Sequence, residues 1–245
     1  IDNSLNQGGE LWFQLGSVSE DLMKDGKHAF ENGLPPDGSR TGIDENNWGY
    51  VTKTTYVNNA FSNLGGARDN QDVGLDGLKT SEELTFSGYQ NFVNAVNSRV
   101  TNPAKRDQIL ADISNDDFKY YLSVDSKNIL DRYSHHNGME NNSGTNTVNG
   151  FIQSNTNLPD NEDLNQNNTV SDLEQYFEYK VNVKRGANGK MDERANGFVV
   201  GKITNNIGGD EVTWYQVRIP IRTNPIVVNG INDFKSIRFV RTVVT

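Results

Sequence analysis

The sequence predicts an α+β fold, with a helix- and loop-rich N-terminal half (residues 1–147) and a C-terminal antiparallel β-sheet or sandwich (residues 148–245). Three observations carry this reading. Apolar residues recur at helical spacing only in the first half. From Phe177 onward the period changes to two: Phe177, Tyr179, Val181 and Val183 alternate with Glu178, Lys180 and Asn182. The chain also carries 34 asparagines, clustered with Asp and Gly in runs. Such residues favour turns and tolerate left-handed backbone, so much of the chain is loop.

Taken in order, Leu11 to Leu15 reads as a short strand. Ser17 with Glu20 forms a capping-box pair, predicting a helix from Glu20 to Glu31 that Gly33 and Pro35-Pro36 stop. Residues 36 to 80, around Trp48, Tyr50 and Tyr56, read as ordered loops with short strands. A second helix is expected from Glu82 to Arg99, through Leu84, Tyr89, Phe92, Val93 and Val96. Asn102 caps a third, with Pro103 at its first position, reaching about Ile113. A polar stretch from Ser134 to Thr169 separates these helices from the strands. Gly197–Thr204, Tyr215–Ile221 and Ile237–Val244 complete the strands, and Pro220 points to an edge position.

The chain has 245 residues, enough for one large domain or two modest ones without staples. Apolar residues make up 34% and the mean hydropathy is −0.70, while an aromatic share of 9% argues for a packed core. A net charge of −9 argues against nucleic acid and anionic membranes as partners. No apolar run is long enough for a transmembrane helix. Cysteine is absent, which removes disulfides and thiolate chemistry. Ile1 is followed by no signal-peptide pattern, so the chain reads as a mature or excised piece.

The chain carries no G-x-S-x-G elbow and no H-E-x-x-H, and Gly197–Lys202 falls short of a phosphate-binding loop. His135 and His136 are adjacent, and neighbours in sequence rarely share a metal without further ligands, so they read as loop histidines. The expectation is a protein that is not an enzyme.

Two loops approach calcium-loop spacing. In the first, Asp72, Asp76 and Glu83 hold positions 1, 5 and 12, Gly77 the sharp turn, and Leu78 would offer its carbonyl. Gly74 at position 3 supplies no oxygen. In the second, Asp163, Asn165, Asn167 and Glu174 hold positions 1, 3, 5 and 12, with the Thr169 carbonyl at position 7. Asn168 replaces the usual glycine there. Each loop is expected to hold a structural Ca²⁺, with Asp69 or Asp160 close enough in sequence to add a ligand.

Longer blocks carry a resemblance: Gly16–Gly26, Phe30–Pro35, Gln71–Leu78, Leu158–Asn165, Glu174–Tyr179, Trp214–Ile221 and Phe234–Arg241. In order they resemble the SprA/Sov family, the giant outer-membrane translocon of the type IX secretion system, also tied to gliding motility. The resemblance implies a β-barrel parent that conducts folded cargo. It implies as partners the rest of that barrel, other type IX components and secreted cargo. This segment is too polar to be lipid-facing barrel. It is expected to be a non-spanning insertion on the extracellular face, capping the pore or framing its exit. Two other readings compete: a calcium-dependent carbohydrate-binding or adhesion module, and a hydrolase with an unrecognised carboxylate pair.

Overall fold

The computed structural model describes residues 9–54, 58–123, 132, 135–145, 147–183, 191–193, 197–207 and 210–245. Tyr56 and Ser134 lie outside them. In chain order the elements are β1 (Glu10–Ser17), β2 (Ile43–Glu45), β3 (Tyr50–Thr52), α1 (Arg68–Gln71), α2 (Thr80–Glu83), α3 (Gln90–Arg99) and α4 (Pro103–Ala111). There follow β4 (Thr147–Val148), β5 (Phe151–Ile152), β6 (Gln175–Asn182), β7 (Val199–Ile207), β8 (Asp210–Val217), β9 (Ile226–Val228) and β10 (Phe239–Val244). The fold is α+β, with antiparallel strand pairing throughout these named strands.

By contacts the chain divides into residues 1–19 with 172–245, and residues 20–171. The sequence reading placed one boundary at 147/148. Two things differ: residues 148–171 fall in the loop unit, where Asp160 N–H donates to Glu31 and Glu162 accepts from Leu22 and Ala29, and β1 pairs with β6 on one side and β10 on the other, so an N-terminal strand belongs to the C-terminal sheet. Local periodicity identifies that strand but carries no information about its distant partners.

In the sheet unit the strand order is β10-β1-β6-β9. The alternation predicted from Phe177 holds: Phe177, Tyr179 and Val181 are buried on one face. Phe177, Tyr179 and Ile231 form the core cluster, with Phe13, Leu15, Ile219 and Phe234 against it. The opposite face carries a polar network beside Trp12 and Tyr176. Gln14 donates to Glu178 (2.7 Å) and accepts from Arg241 Nε (2.6 Å), while Arg241 forks onto both oxygens of Glu174 at 2.9 and 3.0 Å. Strands β7 and β8 form a separate hairpin with a bulge between Val199 and Gly201. The strand expected over Tyr215–Ile221 ends at Val217. Pro220 has no N–H for a ladder, and the Ile221 carbonyl accepts from the Tyr179 hydroxyl instead.

The loop unit departs further from expectation. No helix forms over 20–31. The Asp21 carboxylate accepts Asp25 N–H (3.1 Å) and Gly26 N–H (2.9 Å), and Lys24 and Gly26 take φ of 55° and 69°. A side chain that captures local N–H groups competes with helix bonding. Ser17 lies in β1 and no capping box forms; only a 3₁₀ turn at Glu31–Gly33 remains. The helix expected from Glu82 to Arg99 is broken into α2, a 3₁₀ turn at Ser87–Tyr89, and α3. At the break, Gly88 packs against the Asn47 carbonyl, 2.2 Å from where a Cβ would stand. The third helix is α4, and Asn102 Oδ1 accepts Lys105 N–H at 3.2 Å as the cap predicts.

Irregular backbone leaves N–H groups without a ladder partner, and a buried donor needs an acceptor. Buried glutamates supply it here. Glu162 accepts from Leu22, Met23 and Ala29 (2.8, 3.1 and 2.9 Å). Glu20 accepts from the backbone of Asn165 and Ser171, and Glu31 from Gly74 and Asp160. Apolar clusters are small: Leu78, Phe86, Tyr89 and Val93 form one, and Leu34, Ile43 and Val73 another.

Candidate functional site

The most concentrated chemistry in the loop unit is a group of carboxylates from three segments. The turn before α2 contributes Asp76 and α2 itself Glu83. The segment after α4 contributes Asp116, and Glu140 comes from a short backbone bridge to residue 117. Ligand oxygens of Glu83, Asp116 and Glu140 lie within 4.8 Å of one another.

Backbone geometry places each. Gly77 turns the chain at φ 68°, and Tyr50 N–H donates to the Asp76 carbonyl at 2.7 Å. Beyond α4, the Asp112 carboxylate accepts Asp116 N–H (3.0 Å) and Asp117 N–H (3.3 Å), curling the segment so that Asp116 faces inward. Glu140 N–H donates to the Asp116 carbonyl at 2.9 Å. Gly74 explains the gap at position 3 of the first predicted loop. Its φ is 75°, and a Cβ there would stand 2.2 Å from Asp116 Oδ2, so a distant carboxylate occupies the space of the missing side chain.

The hydroxyls that face these acids supply too few hydrogens for them all. The Ser114 hydroxyl, with one hydrogen, lies 2.6 Å from Asp116 Oδ1 and 2.7 Å from Glu83 Oε1. The Thr80 hydroxyl lies 2.6 Å from Glu140 Oε2 and 3.0 Å from Asp117 Oδ1. Glu83 Oε2 also accepts Ile113 N–H at 2.7 Å, and Tyr89 donates to Asp76 at 3.2 Å.

Burial, reinforced by Asp116 and Glu83, pushes Asp76 up to about 8. Burial first, then Glu83, Glu140 and Asp112, pushes Asp116 up to about 7. Burial also raises Glu140, against the hydrogen bonds from Thr80. A buried group of this kind is neutralised either by protons or by a cation. Its donors are hard oxygens, the set preferred by Ca²⁺ and Mg²⁺.

The structure brings together two of the residues predicted for the first loop, Asp76 and Glu83, and sets Asp72 apart. Asp72 accepts Ser143 N–H at 3.2 Å and sits among Arg68, Asp160 and Glu31. Burial pushes Asp72 up to about 6, opposed by Ser143 and Arg68. Leu78 donates its N–H to Asp76 at 2.9 Å and buries its side chain in the core.

In the second loop Asp163 accepts Asn167 N–H (3.1 Å) and Asn168 N–H (2.6 Å). Asn168 takes the left-handed conformation expected at a glycine position, with φ 63°. Asn165 donates to Glu20 at 2.9 Å, and Thr169 donates its N–H and hydroxyl to Asn167 Oδ1. Glu174 belongs to the sheet unit, where it holds Arg241. The residues missed from sequence are Asp112, Asp116 and Glu140. Oxygen-bearing side chains at 112, 114 and 116 were a readable alternation. Nothing local marks Glu140.

No described helix is long and apolar enough to cross a membrane. No curated protein matches the chain. Residues 91–245, more than half of the chain, match the family model SprA_N, motility related/secretion protein. That match supports the resemblance read from the sequence blocks and does not favour the adhesion module. The chain belongs to this family of motility-related secretion proteins.

Proposed function

We propose that this chain is a non-catalytic structural domain of a protein-conducting outer-membrane β-barrel of the type IX secretion system, capping the pore or framing its exit on the extracellular face. The observation that carries the reading is the use of the buried acids. Glu20, Glu31, Glu83 and Glu162 are almost wholly buried, and each accepts backbone N–H groups from distant loops. Carboxylates committed in this way hold a rigid shape rather than meet a substrate. Family membership supplies the context, and the partners that follow are the rest of the barrel, other secretion components and passing cargo.

In this reading Asp76, Glu83, Asp116 and Glu140 hold a structural Ca²⁺, which replaces the missing protons and ties α2 to the segment after α4. The Asp163 loop, with Asn165 and Asn167, is the second candidate. Extracellular modules bind calcium with Kd on the order of 10⁻⁴ to 10⁻³ M, a range that ambient calcium fills. Binding energy there becomes folding energy.

The test of the domain's role is its deletion from the parent gene. Secretion should fall, or the channel should become leaky to small solutes. Unchanged secretion, cargo selectivity and leakiness would overturn the proposal. Calcium is tested separately by calorimetry with chelated protein, where no heat of binding would return the acids to a purely protonated cluster.

A further inference from the structure

We propose that the outer edge of β10 is a docking strand for an extended, acidic, β-branched polypeptide segment, which joins the sheet as a fifth strand.

Hydrogen bonding fixes which groups are free. Glu10 and Thr245 exchange both backbone bonds, at 2.9 and 3.0 Å. Antiparallel pairing alternates, so Arg241 and Val243 turn their N–H and C=O groups toward β1. Val240, Thr242 and Val244 turn theirs away from it. Among the described residues no strand pairs with that side.

The side chains are open as well. Val240 and Val244 stand opposite Leu15 and Leu11 of β1, on the apolar face of the sheet. The cover formed by Ile219, Ile231 and Phe234 does not extend over them, and they are 66% and 71% exposed. The other edge of the same sheet is shorter and interrupted. Strand β9 has three residues, Pro225 precedes it, and a turn at Asn229 (φ 50°) and Gly230 ends it. Short strands and proline are the usual protection of a sheet edge, and β10 has neither.

Charge selects the occupant. The chain carries −9, yet residues 218–245 hold five basic side chains against Asp233 alone. Arg241 is taken by Glu174. Lys235 and Arg238, beside the start of β10, are exposed and enter no ion pair among the described residues. An arriving strand gains most from acidic residues there and from β-branched residues beside Val240 and Val244. A second copy of this chain would bring one basic segment against another. Strand addition supplies affinity through main-chain bonds and specificity through alternate side chains.

The experiment uses the 245-residue chain and a short synthetic peptide of alternating valine and threonine ended by glutamates. The expected result is saturable binding with slowed amide exchange at Val240, Thr242 and Val244. Arg238→Glu should weaken binding about fivefold and favour the lysine-ended peptide. Thr242→Pro removes the central outward N–H while sparing the bonds to β1, and should weaken binding about tenfold. Three outcomes would overturn the proposal: no protection of these amides, equal binding of a proline-interrupted peptide, or protection that appears with protein concentration alone. The last would mean that a second copy covers the edge.

Discussion

In the sheet unit the deepest side chains are Phe177, Tyr179 and Val181, packed on one face of strands whose backbone groups pair with each other. In the loop unit the deepest include Glu20, Glu31, Glu83 and Glu162. The difference follows from the backbone. A strand satisfies its N–H and C=O groups by ladder and can bury hydrocarbon alone. A segment such as 20–29 forms no ladder, so its donors must be met by side chains. A carboxylate, with two oxygens and about four lone-pair sites, meets several at once. The cost is desolvation, visible in the upward shifts of Glu31, Asp76, Asp116, Glu140 and Glu162. The sheet unit is stabilised by burial of apolar area. The loop unit depends on how its buried charge is neutralised.

The largest expected effect comes from breaking one staple. Glu162→Ala leaves the N–H groups of Leu22, Met23 and Ala29 without their acceptor, and should cost about 4 kcal/mol in urea unfolding. A loss under about 1 kcal/mol would show that water replaces the carboxylate readily.

Phe177→Ala deletes a ring stacked on Phe234 at 4.3 Å and should cost about 3 kcal/mol, a cavity effect independent of pH. If its cost varies with pH as the loop unit's stability does, the two units do not differ in the way described.

The third prediction concerns protons. Asp76 and Asp116 have folded values near 8 and 7, above the unfolded carboxylate value near 4. The folded state therefore binds more protons, and stability falls as pH rises from about 4 through 8. In chelated protein stability should fall steadily between pH 5 and 9, read by hydrogen exchange at amides of residues 76–140. Calcium at ten times its Kd should restore about 1.4 kcal/mol. Stability that rises over this interval would contradict the assignment.

The smallest expected effect tests a feature common to both chemistries. Asn102→Ala removes the α4 cap and should cost about 1 kcal/mol, with or without calcium.

Much of the sheet was legible because its cause is local. The alternation at 177–183, the strands at 11–15 and 239–244, and the Asn102-Pro103 helix start are set by neighbours a few residues apart. The expected helix at 20–31 failed because its capping-box glutamate, Glu20, bonds instead to Asn165 and Ser171, more than a hundred residues away. The candidate site divides in the same way. Calcium-loop spacing brought Asp76 and Glu83 to notice, since a turn confines both within eight residues. Asp116 and Glu140 join them only through the Gly74 turn and the backbone bridge at residue 140. By itself the sequence determined the α+β class, the strands with period two, the acidic balance and the family blocks, because each rests on composition or on short-range pattern. Only the tertiary structure decided which strand flanks β1, which loops each buried glutamate holds, and which carboxylates converge. Those depend on chain closure between distant segments, and an irregular backbone has no repeat from which such closure can be read.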